Sequence, residues 1–424
     1  MHQIWTLAVS GLVLGAGVLL VAGWLGECGL PGVPRPRVAE APKLEVGLRE
    51  AAAVFGVAFA FRVAVFLAAE LAVCLIVEPG TGGAEGLNIW RRWDAWHYVN
   101  LAELGYSGYV ENGQHLFVVF FPLYVWLVRL IRLLTGNTMA AGLLVSFACF
   151  AGGCVYLYRL AAWEYGRAAA RRALVFLSVF PFAFFFGGVM TESLFLLTTA
   201  AALWHIRRHQ WLAAGLWGAL AALTRMHGLL LIGAAGAELF SYGRPLALPG
   251  RERKRTLLAR LKTLPVIFLP VVGTLIYLGL NHAVTGSPFG FVSMQEHWSQ
   301  GFCWISDTLW YVLHNAMSYQ DEATRLLLWV PELVLFPLFF ALLLWAARRQ
   351  GSTFTLYAFV TLVLDYSLSW LLSAGRYLSC AVPFFLFMAV LTGRRPKLAV
   401  GLAGVMAGLF AVFLLAYLSG AQVM

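Results

Sequence analysis

Repeated runs of apolar residues, several of them long enough to cross a bilayer as a helix, constrain this chain more than any other feature. Residues 4–25 and 398–418 are examples, and about 18 apolar residues are enough to span. Charged residues make up 12% of the 424 residues, about half the share found in soluble domains. Because the runs are continuous, they favour helices over the alternating strands of a membrane barrel. The sequence therefore predicts an all-α polytopic membrane protein with about 12 transmembrane helices. The predicted spans include residues 173–189, 354–372 and 377–391.

Two long and more polar segments, residues 78–137 and 281–325, interrupt the apolar runs. Within the first segment, residues 94–103 and 122–134 have helical patterns, and each pattern is closed by a glycine, a common helix terminator. A helix of about 13 residues reaches only about 20 Å, which is short of the roughly 30 Å hydrocarbon core. We therefore predict two interfacial helices inside a large outer loop.

The distribution of basic residues predicts the orientation in the membrane. The net charge is +10, and Lys and Arg are enriched in the cytoplasmic loops of membrane proteins. Most of the 30 basic residues fall in segments that share one side if both long loops lie on the other. Topology therefore explains the positive charge, and no nucleic-acid partner is expected. The Ala-, Gly- and Leu-rich composition is typical of bacteria, so we predict a protein of the bacterial inner membrane whose long loops face outside.

Several polar residues fall together on the predicted outer side, at the ends of spans or in the long loops. Asp94 is the main candidate for catalysis, because a carboxylate among tryptophans near the membrane surface can accept a proton from a hydroxyl group. It also opens a helical pattern, where Asp is a favoured N-cap, and it has Arg91 and Arg92 nearby as ion-pair partners. Cap and general base are not exclusive, and both explanations stay open. The full outer set is Asp94, Glu103, Glu192, Arg225, His227, His297 and Arg376.

The other charges also have structural explanations. The first turn of a helix after Glu192 would stabilise its carboxylate. Arg225 and Arg376 lie at the edges of apolar runs, where arginine side chains commonly reach toward water. A guanidinium can equally hold a phosphate through two hydrogen bonds. Asp365 lies within an apolar run, which predicts an internal partner.

Metal ions and cofactors are not expected. No HExxH or DxD pattern accompanies His97 or His297, and the six cysteines show no CxxC spacing. A glycine-rich nucleotide loop is also missing from the sequence, which argues against ATP or a nucleotide sugar as substrate.

Six short motifs occur in order between residues 51 and 385. They are Trp93-Asp94-Ala95-Trp96-His97-Tyr98 with Gly105-Tyr106, Phe120-Phe121-Pro122-Leu123, Thr191-Glu192-Ser193-Leu194-Phe195, Thr224-Arg225-Met226-His227-Gly228, His297-Trp298-Ser299-Gln300-Gly301-Phe302 and Gly375-Arg376-Tyr377-Leu378. Together they resemble the second GPI mannosyltransferase family (PIG-V), one of the GT-C glycosyltransferases. In the last motif glycine stands where the family has proline.

This resemblance implies an inverting glycosyltransferase that moves mannose from a polyprenyl- or dolichyl-phosphate donor to a hydroxyl group of a glycolipid or glycan. It implies a GT-C catalytic module over residues 51–280, completed by the second outer loop and C-terminal helices of residues 281–424. Residues 1–50, an extra N-terminal transmembrane helix and a cytoplasmic linker, fall outside it. Asp94 would be the general base, and Arg225 and Arg376 would bind the donor phosphate without a metal ion. The implied supporting residues are Trp93, His97, Tyr98, Glu192, His227, His297 and Tyr377.

A lipid or sugar transporter, or flippase, is the alternative from another functional class. About 12 spans and intramembrane charges are compatible with it, but many transporters also show inverted repeats. We find no convincing internal repeat, and a large aromatic outer loop favours the enzyme.

Overall fold

The computed structural model describes residues 2–77, 86–371 and 373–423. The start of the predicted outer loop, residues 78–85, and residue 372 of a predicted span lie outside the described residues. Within the described ranges the regular structure is helical, and extended pairing is limited to the isolated bridges Glu111–Gln114 and Phe302–Leu368. The predicted all-α class is confirmed.

The α-helices are numbered in chain order. The first half of the chain forms α1 (His2–Cys28), α2 (Leu48–Ala72), α3 (Asp94–Leu104), α4 (Pro122–Thr135), α5 (Thr138–Tyr165), α6 (Arg167–Ser178), α7 (Glu192–Arg207) and α8 (Trp211–Ala222). The second half forms α9 (Leu230–Ser241), α10 (Gly250–Leu261), α11 (Leu264–Ile267), α12 (Pro270–Thr285), α13 (Gly290–Glu296), α14 (Ile305–Ser318), α15 (Glu322–Thr324), α16 (Val330–Ala346), α17 (Ser352–Asp365), α18 (Ala374–Ser379), α19 (Val382–Leu391) and α20 (Pro396–Leu418).

Among the described residues, 5 helical stretches are long and apolar enough to cross a membrane. They are His2–Cys28, Leu48–Val77, Thr138–Tyr165, Glu322–Ala346 and Pro396–Leu418. Several other predicted spans are built from shorter helices. Residues 377–391, for example, were predicted as one span, but they belong to α18 and α19, which are separated at Cys380 and Ala381.

Two predicted boundaries are wrong. Residues 173–189 were predicted as one span after a polar loop, whereas α6 already begins at Arg167 and ends at Ser178. Alanine favours helix strongly enough to extend it into the arginine-rich segment. Residues 354–372 were predicted as one helix, but α17 ends at Asp365. Beyond that point the backbone pairs with the second outer loop, since Ser369 N–H donates to the Gly301 carbonyl over 2.9 Å.

Helix α5 lies at the centre of the fold and packs closely against α7. At Gly153 a Cβ atom would lie only 2.9 Å from the Leu196 side chain, so the absence of a side chain lets the two helices approach. The first residue of α7, Glu192, is fully buried. Several charged side chains meet at this end of α7.

The two helices predicted in the first outer loop are confirmed as α3 and α4, with Gly105 and Gly136 at their C-caps. Helix α4 is anchored to α5, because the Tyr124 hydroxyl donates to the Gly142 carbonyl over 3.0 Å. Their location in the membrane interface stays a prediction.

The N-terminal helix is attached to the rest of the molecule by indole hydrogen bonds. Trp5 donates to the Ser306 carbonyl over 2.8 Å, and Trp24 donates to the Ala237 carbonyl over 3.0 Å. In the other direction, the Trp304 indole donates to the Ser10 hydroxyl over 2.7 Å. Helix α1 is therefore part of the packed structure and not a separate anchor.

Candidate active site

Four charged side chains from distant parts of the chain meet at the N-terminus of α7. Asp94 accepts a hydrogen bond from Arg376, with 2.5 Å between Oδ2 and Nη1. One carboxylate oxygen of Glu192 accepts hydrogen bonds from both Arg225 and Arg376. The two carboxylates and two guanidinium groups balance in charge, which is the condition under which buried ions are tolerated. We call Asp94, Glu192, Arg225 and Arg376 the charged cluster.

Exposure differs sharply across the charged cluster. The side chains of Glu192 and Arg376 are 0% and 4% exposed, and that of Arg225 is 12% exposed. Asp94 is the most open member, at 29%. A molecule that enters from solvent would therefore reach Asp94 first. Glu192 accepts hydrogen bonds from both arginines in the buried interior.

The backbone immediately before Asp94 is strained. Trp93 has a φ of 51° and a ψ of −130°, which is rare for a bulky residue and typical of positions that carry function. Trp93 also occupies the N-cap position of α3, so Asp94 is the first helical residue instead of the cap suggested by the sequence. The Asp94 carboxylate is engaged by Arg376, not by the backbone of its own helix.

Pairing of Asp94 with Arg91 or Arg92 is not what the structure shows. Arg91 donates to the Asn100 side chain over 2.9 Å and lies over the ring of Trp96, 4.0 Å from its centroid. Arg92 donates to a carbonyl near the C-terminal end of α20 over 3.1 Å. In the folded chain Asp94 therefore pairs with an arginine that is distant in the sequence, and the two neighbouring arginines bind other groups.

Arg376 is positioned by the break between α17 and α18. Helix α18 starts at Ala374, whose backbone N–H donates to both carboxylate oxygens of Glu332 over 2.8 and 3.1 Å. The neighbouring Gly375 packs so tightly that a Cβ atom would lie 2.5 Å from the Phe182 ring. This contact gives a physical reason for glycine at the position where the PIG-V family has proline.

Glu332 was not identified from the sequence as a functional residue. It lies inside a predicted span, and an acidic residue in such a place is a functional signal that could have found it. Its side chain is buried, and its own carbonyl accepts a hydrogen bond from the Tyr366 hydroxyl over 2.7 Å. Because Glu332 holds the start of α18, it acts on the charged cluster through the backbone that carries Arg376.

Arg225 connects the charged cluster to a narrow cavity. Its Nε atom donates to the Thr191 hydroxyl over 2.8 Å, and its guanidinium lies 5.4 Å from the centroid of the Tyr377 ring. Arg225, Tyr377 and His227 all line the cavity, together with Asp365. Asp365 lies with Oδ1 2.9 Å from His227 Nε2. The cavity is therefore polar on one side and contacts the cluster through Arg225.

The remaining predicted site residues lie at different distances from the cluster. Tyr98 is buried, and its hydroxyl reaches the Thr191 hydroxyl at 3.5 Å. His97 lies 3.0 Å from the Tyr109 hydroxyl through Nδ1 and stacks on Phe117. Burial lowers the pKa of the His97 imidazole, an effect only partly opposed by the Asp94 charge.

His297 and Glu103 are not brought into the charged cluster. His297 is exposed and packs edge-on against Trp298 at 5.2 Å. Trp298 in turn lies 6.2 Å from the Phe117 ring, so the second outer loop touches the first at this point. Glu103 is exposed at the far end of α3, about 14 Å along the helix from Asp94.

In the part of the chain that the structure describes, no group of three or more His, Cys, Asp or Glu side chains is arranged to hold a metal ion. The donors available to an anionic ligand near Asp94 are the two guanidinium groups, which suit phosphate oxygens.

Comparison with known proteins supports the architecture. Residues 121–276 match the family described as dolichyl-phosphate-mannose-protein mannosyltransferase. A search of curated proteins found no match. ArnT from Cupriavidus metallidurans bound to undecaprenyl phosphate is 15% identical, with a TM-score of 0.51 over 82% of this chain and 63% of that chain.

Two further solved structures align less closely. ArnT in the apo state is 16% identical, with a TM-score of 0.47 over 80% of this chain and 75% of that one. The archaeal oligosaccharyltransferase AglB from Archaeoglobus fulgidus, in complex with an inhibitory peptide and a dolichol-phosphate, is 14% identical. Its TM-score is 0.41 over 85% of this chain and 56% of that one.

The fold is that of a polytopic membrane protein of the GT-C type. The likeness to ArnT shows the fold, and membership of the PIG-V family stays an expectation. The chain covers less than two thirds of the length of the ArnT structure that it matches.

Proposed function

We propose that this protein is an inverting membrane glycosyltransferase that moves mannose from a polyprenyl-phosphate donor to a hydroxyl group of a glycolipid or glycan. The observation that carries the proposal is the charged cluster, in which the partly exposed Asp94 is fixed by Arg376 beside a second arginine. The matched family is named for dolichyl-phosphate-mannose, and the ArnT structure contains undecaprenyl phosphate, which supports a lipid phosphate as the donor.

In the proposed reaction the Asp94 carboxylate takes the proton of the acceptor hydroxyl. The acceptor oxygen attacks the anomeric carbon of the sugar as the bond from that carbon to the phosphate oxygen breaks. Attack on the face opposite the leaving phosphate inverts the anomeric configuration. Arg376 orients Asp94 in the resting site, and general-base groups of this kind contribute about 10² to 10⁴ in rate.

The departing phosphate gains negative charge as the glycosidic bond breaks. A cationic group fixed where that charge develops stabilises the transition state. We assign this role to Arg225 and Arg376, of which Arg225 lines the cavity and Arg376 lies between the two carboxylates. Asp94 becomes neutral when it takes the acceptor proton, so the charge of Arg376 is then no longer balanced by Asp94 and can offset the charge on the departing phosphate. The proposal therefore includes no metal ion.

The site must open before a donor can bind. The cavity beside Arg225 is bounded by Tyr377, Tyr357 and Phe195, and it has room for about one water molecule. A sugar phosphate is much larger. Displacement of side chains or outer loops on substrate binding is common in enzymes that exclude water from the reaction.

The proposed orientation places the charged cluster at the outer face of a bacterial inner membrane. The positive-inside distribution of Lys and Arg supports this orientation. The lipid donor and acceptor would then be used in the outer leaflet.

A transfer assay tests the proposed function. Membranes containing the full chain are given radiolabelled polyprenyl-phosphate mannose, a panel of lipid and glycan acceptors is added, and products are separated by thin-layer chromatography. We expect a labelled product with wild type and almost none with Asp94→Asn. Absence of transfer across the panel would count against the proposal. Movement of the intact donor across a proteoliposome membrane, without covalent change, would favour the transporter instead.

A further inference from the structure

Helix α10 (Gly250–Leu261) lies at the opposite end of the molecule from the charged cluster and packs on very little. None of its residues is buried. A helix of about 12 residues that buries none of them gains little stability from packing. Contact with a further surface would therefore stabilise α10.

The composition of α10 indicates the chemistry of that surface. Its basic residues are Arg251, Arg253, Lys254, Arg255 and Arg260. Two of its leucines are nevertheless half exposed, Leu258 at 52% and Leu261 at 48%. Clustered Lys and Arg side chains together with exposed leucines are typical of segments that lie on an anionic lipid surface.

A cavity of about 650 Å³ lies between α10 and the adjacent ends of α8 and α9. Its wall includes Trp211, Tyr242, Arg255 and Arg260. Aromatic side chains with a polar edge are enriched at the level of lipid head groups. The volume is large enough for a phospholipid head group, since ligand sites commonly measure about 300–1,000 Å³.

The two arginines in the cavity wall differ in their hydrogen-bond partners. Arg260 donates to the backbone carbonyls of Phe240 and Tyr242, so it fixes the end of α9. Among the described residues, Arg255 has no ion-pair or hydrogen-bond partner, although it faces the cavity. The acidic residue in the wall, Glu252, lies beyond ion-pair distance of it. Arg255 therefore offers a guanidinium to an anion in the cavity.

The position of the cavity in the fold fits a lipid of the leaflet opposite the proposed active site. His209 in the cavity wall follows the C-terminal end of α7, whereas Glu192 is at its N-terminal end. The 16 residues of α7 span about 24 Å, most of the roughly 30 Å hydrocarbon core. The cavity and the charged cluster thus lie near opposite ends of α7.

We propose that α10 and the cavity beside it form a binding site for an anionic phospholipid of the leaflet on the basic side. The phosphate binds Arg255, and the acyl chains run along Leu239, Leu248 and the aromatic wall at Trp211. This site is separate from the charged cluster, and the proposal does not depend on glycosyl transfer.

The competing explanation is that the basic residues only orient the protein during membrane insertion. In that case each positive charge of α10 contributes equally to the attraction for anionic lipid. A specific site makes Arg255 dominant over a neighbour of the same type on the same helix. Arg251 is the matched control, because it is exposed on α10 and lies outside the cavity wall.

The experiment uses the full chain in detergent micelles containing increasing dioleoyl phosphatidylglycerol, with dioleoyl phosphatidylcholine as the neutral comparison. The rise in melting temperature gives an apparent affinity for wild type, Arg255→Gln and Arg251→Gln. We expect phosphatidylglycerol to raise the melting temperature of wild type and Arg251→Gln. Arg255→Gln should bind about tenfold more weakly than Arg251→Gln, because it alone loses a charge-assisted hydrogen bond to the phosphate.

Equal weakening by the two substitutions would overturn the proposal in favour of nonspecific attraction. Stabilisation by inorganic phosphate or glycerol 3-phosphate as strong as that by the lipid would also overturn it. If Arg255→Gln cannot be purified folded, Thr256→Asp places a carboxylate in the same cavity wall. That variant should also lose the response to phosphatidylglycerol, and retention of the full response would contradict the site.

Discussion

Asp94 and Arg376 are 282 positions apart in the sequence, yet they form an ion pair of 2.5 Å between Oδ2 and Nη1. Arg376 simultaneously donates to Glu192, which also accepts from Arg225. The orientation of Asp94 therefore depends on α18, α7 and the segment before α9 at once. Matched substitutions can separate the chemical role of each residue from its structural role.

Asp94→Asn should abolish most activity and leave the fold intact. Asparagine keeps an oxygen that can accept from Arg376, and Arg376 keeps its bond to Glu192. Asparagine cannot accept a proton at neutral pH, so turnover should fall by about 10²-fold or more. Initial rates at equal protein and saturating donor measure the effect, with melting temperature as the control. A variant that keeps most of its activity would exclude Asp94 as the base.

Arg376→Lys should impair both stability and donor use although the charge is kept. The guanidinium donates from Nε to Glu192 and from Nη1 to Asp94, and a lysine ammonium cannot reproduce that planar geometry. We expect a lower melting temperature and a higher KM for the donor. Arg91→Lys is the control, because Arg91 bonds to Asn100 outside the cluster. Equal effects of the two substitutions would show that the planar geometry of the Arg376 guanidinium is unimportant.

Glu192→Gln should be more destabilising than Asp94→Asn. Glu192 is fully buried and accepts from two arginines, so its neutralisation leaves excess positive charge in the interior. Breaking a buried ion pair in this way costs about 3–5 kcal/mol. Chemical unfolding of the purified chain measures the loss. A change within about 0.5 kcal/mol, the usual scale of surface substitutions, would mean that the arginines are neutralised by other groups.

Glu332→Leu should reduce activity without contact between residue 332 and the substrate. Glu332 accepts the Ala374 N–H that begins α18, and leucine leaves that donor unsatisfied. We expect the KM for the donor to rise more than kcat falls, because Arg376 is displaced. Glu332→Gln keeps an acceptor oxygen and should restore most of the wild-type KM. If glutamine is as damaging as leucine, the carboxylate charge itself is required.

The stability of the outer loop should fall as the pH drops, and His97 should account for part of the change. Burial keeps the pKa of His97 below its ordinary value, so the unfolded chain takes up this proton first. The contribution of neutral His97 is therefore complete above about pH 6.5 and is lost as the pH falls below that value. The difference between the melting temperatures at pH 7.5 and 5.5 should be smaller in His97→Gln than in wild type. The same substitution at the exposed His314 is the control and should leave the wild-type difference unchanged.

The sequence by itself determined the membrane class, the all-α fold and the two helices of the first outer loop. Continuous apolar runs satisfy their own backbone only as helices, and glycine after residues 104 and 135 ends α3 and α4 where the pattern does. These features depend on local chemistry. They can be read along the chain without knowledge of what packs against it.

Only the tertiary structure decided which charges pair. Asp94 bonds to Arg376 instead of Arg91 or Arg92. Glu332 contributes to the site because it accepts the N–H of the first residue of α18. Glu192 is fully buried at the start of α7, and a buried carboxylate is tolerated where the fold brings cations to it. Such partners are chosen by three-dimensional proximity in a desolvated interior, and no periodicity in the sequence encodes that choice.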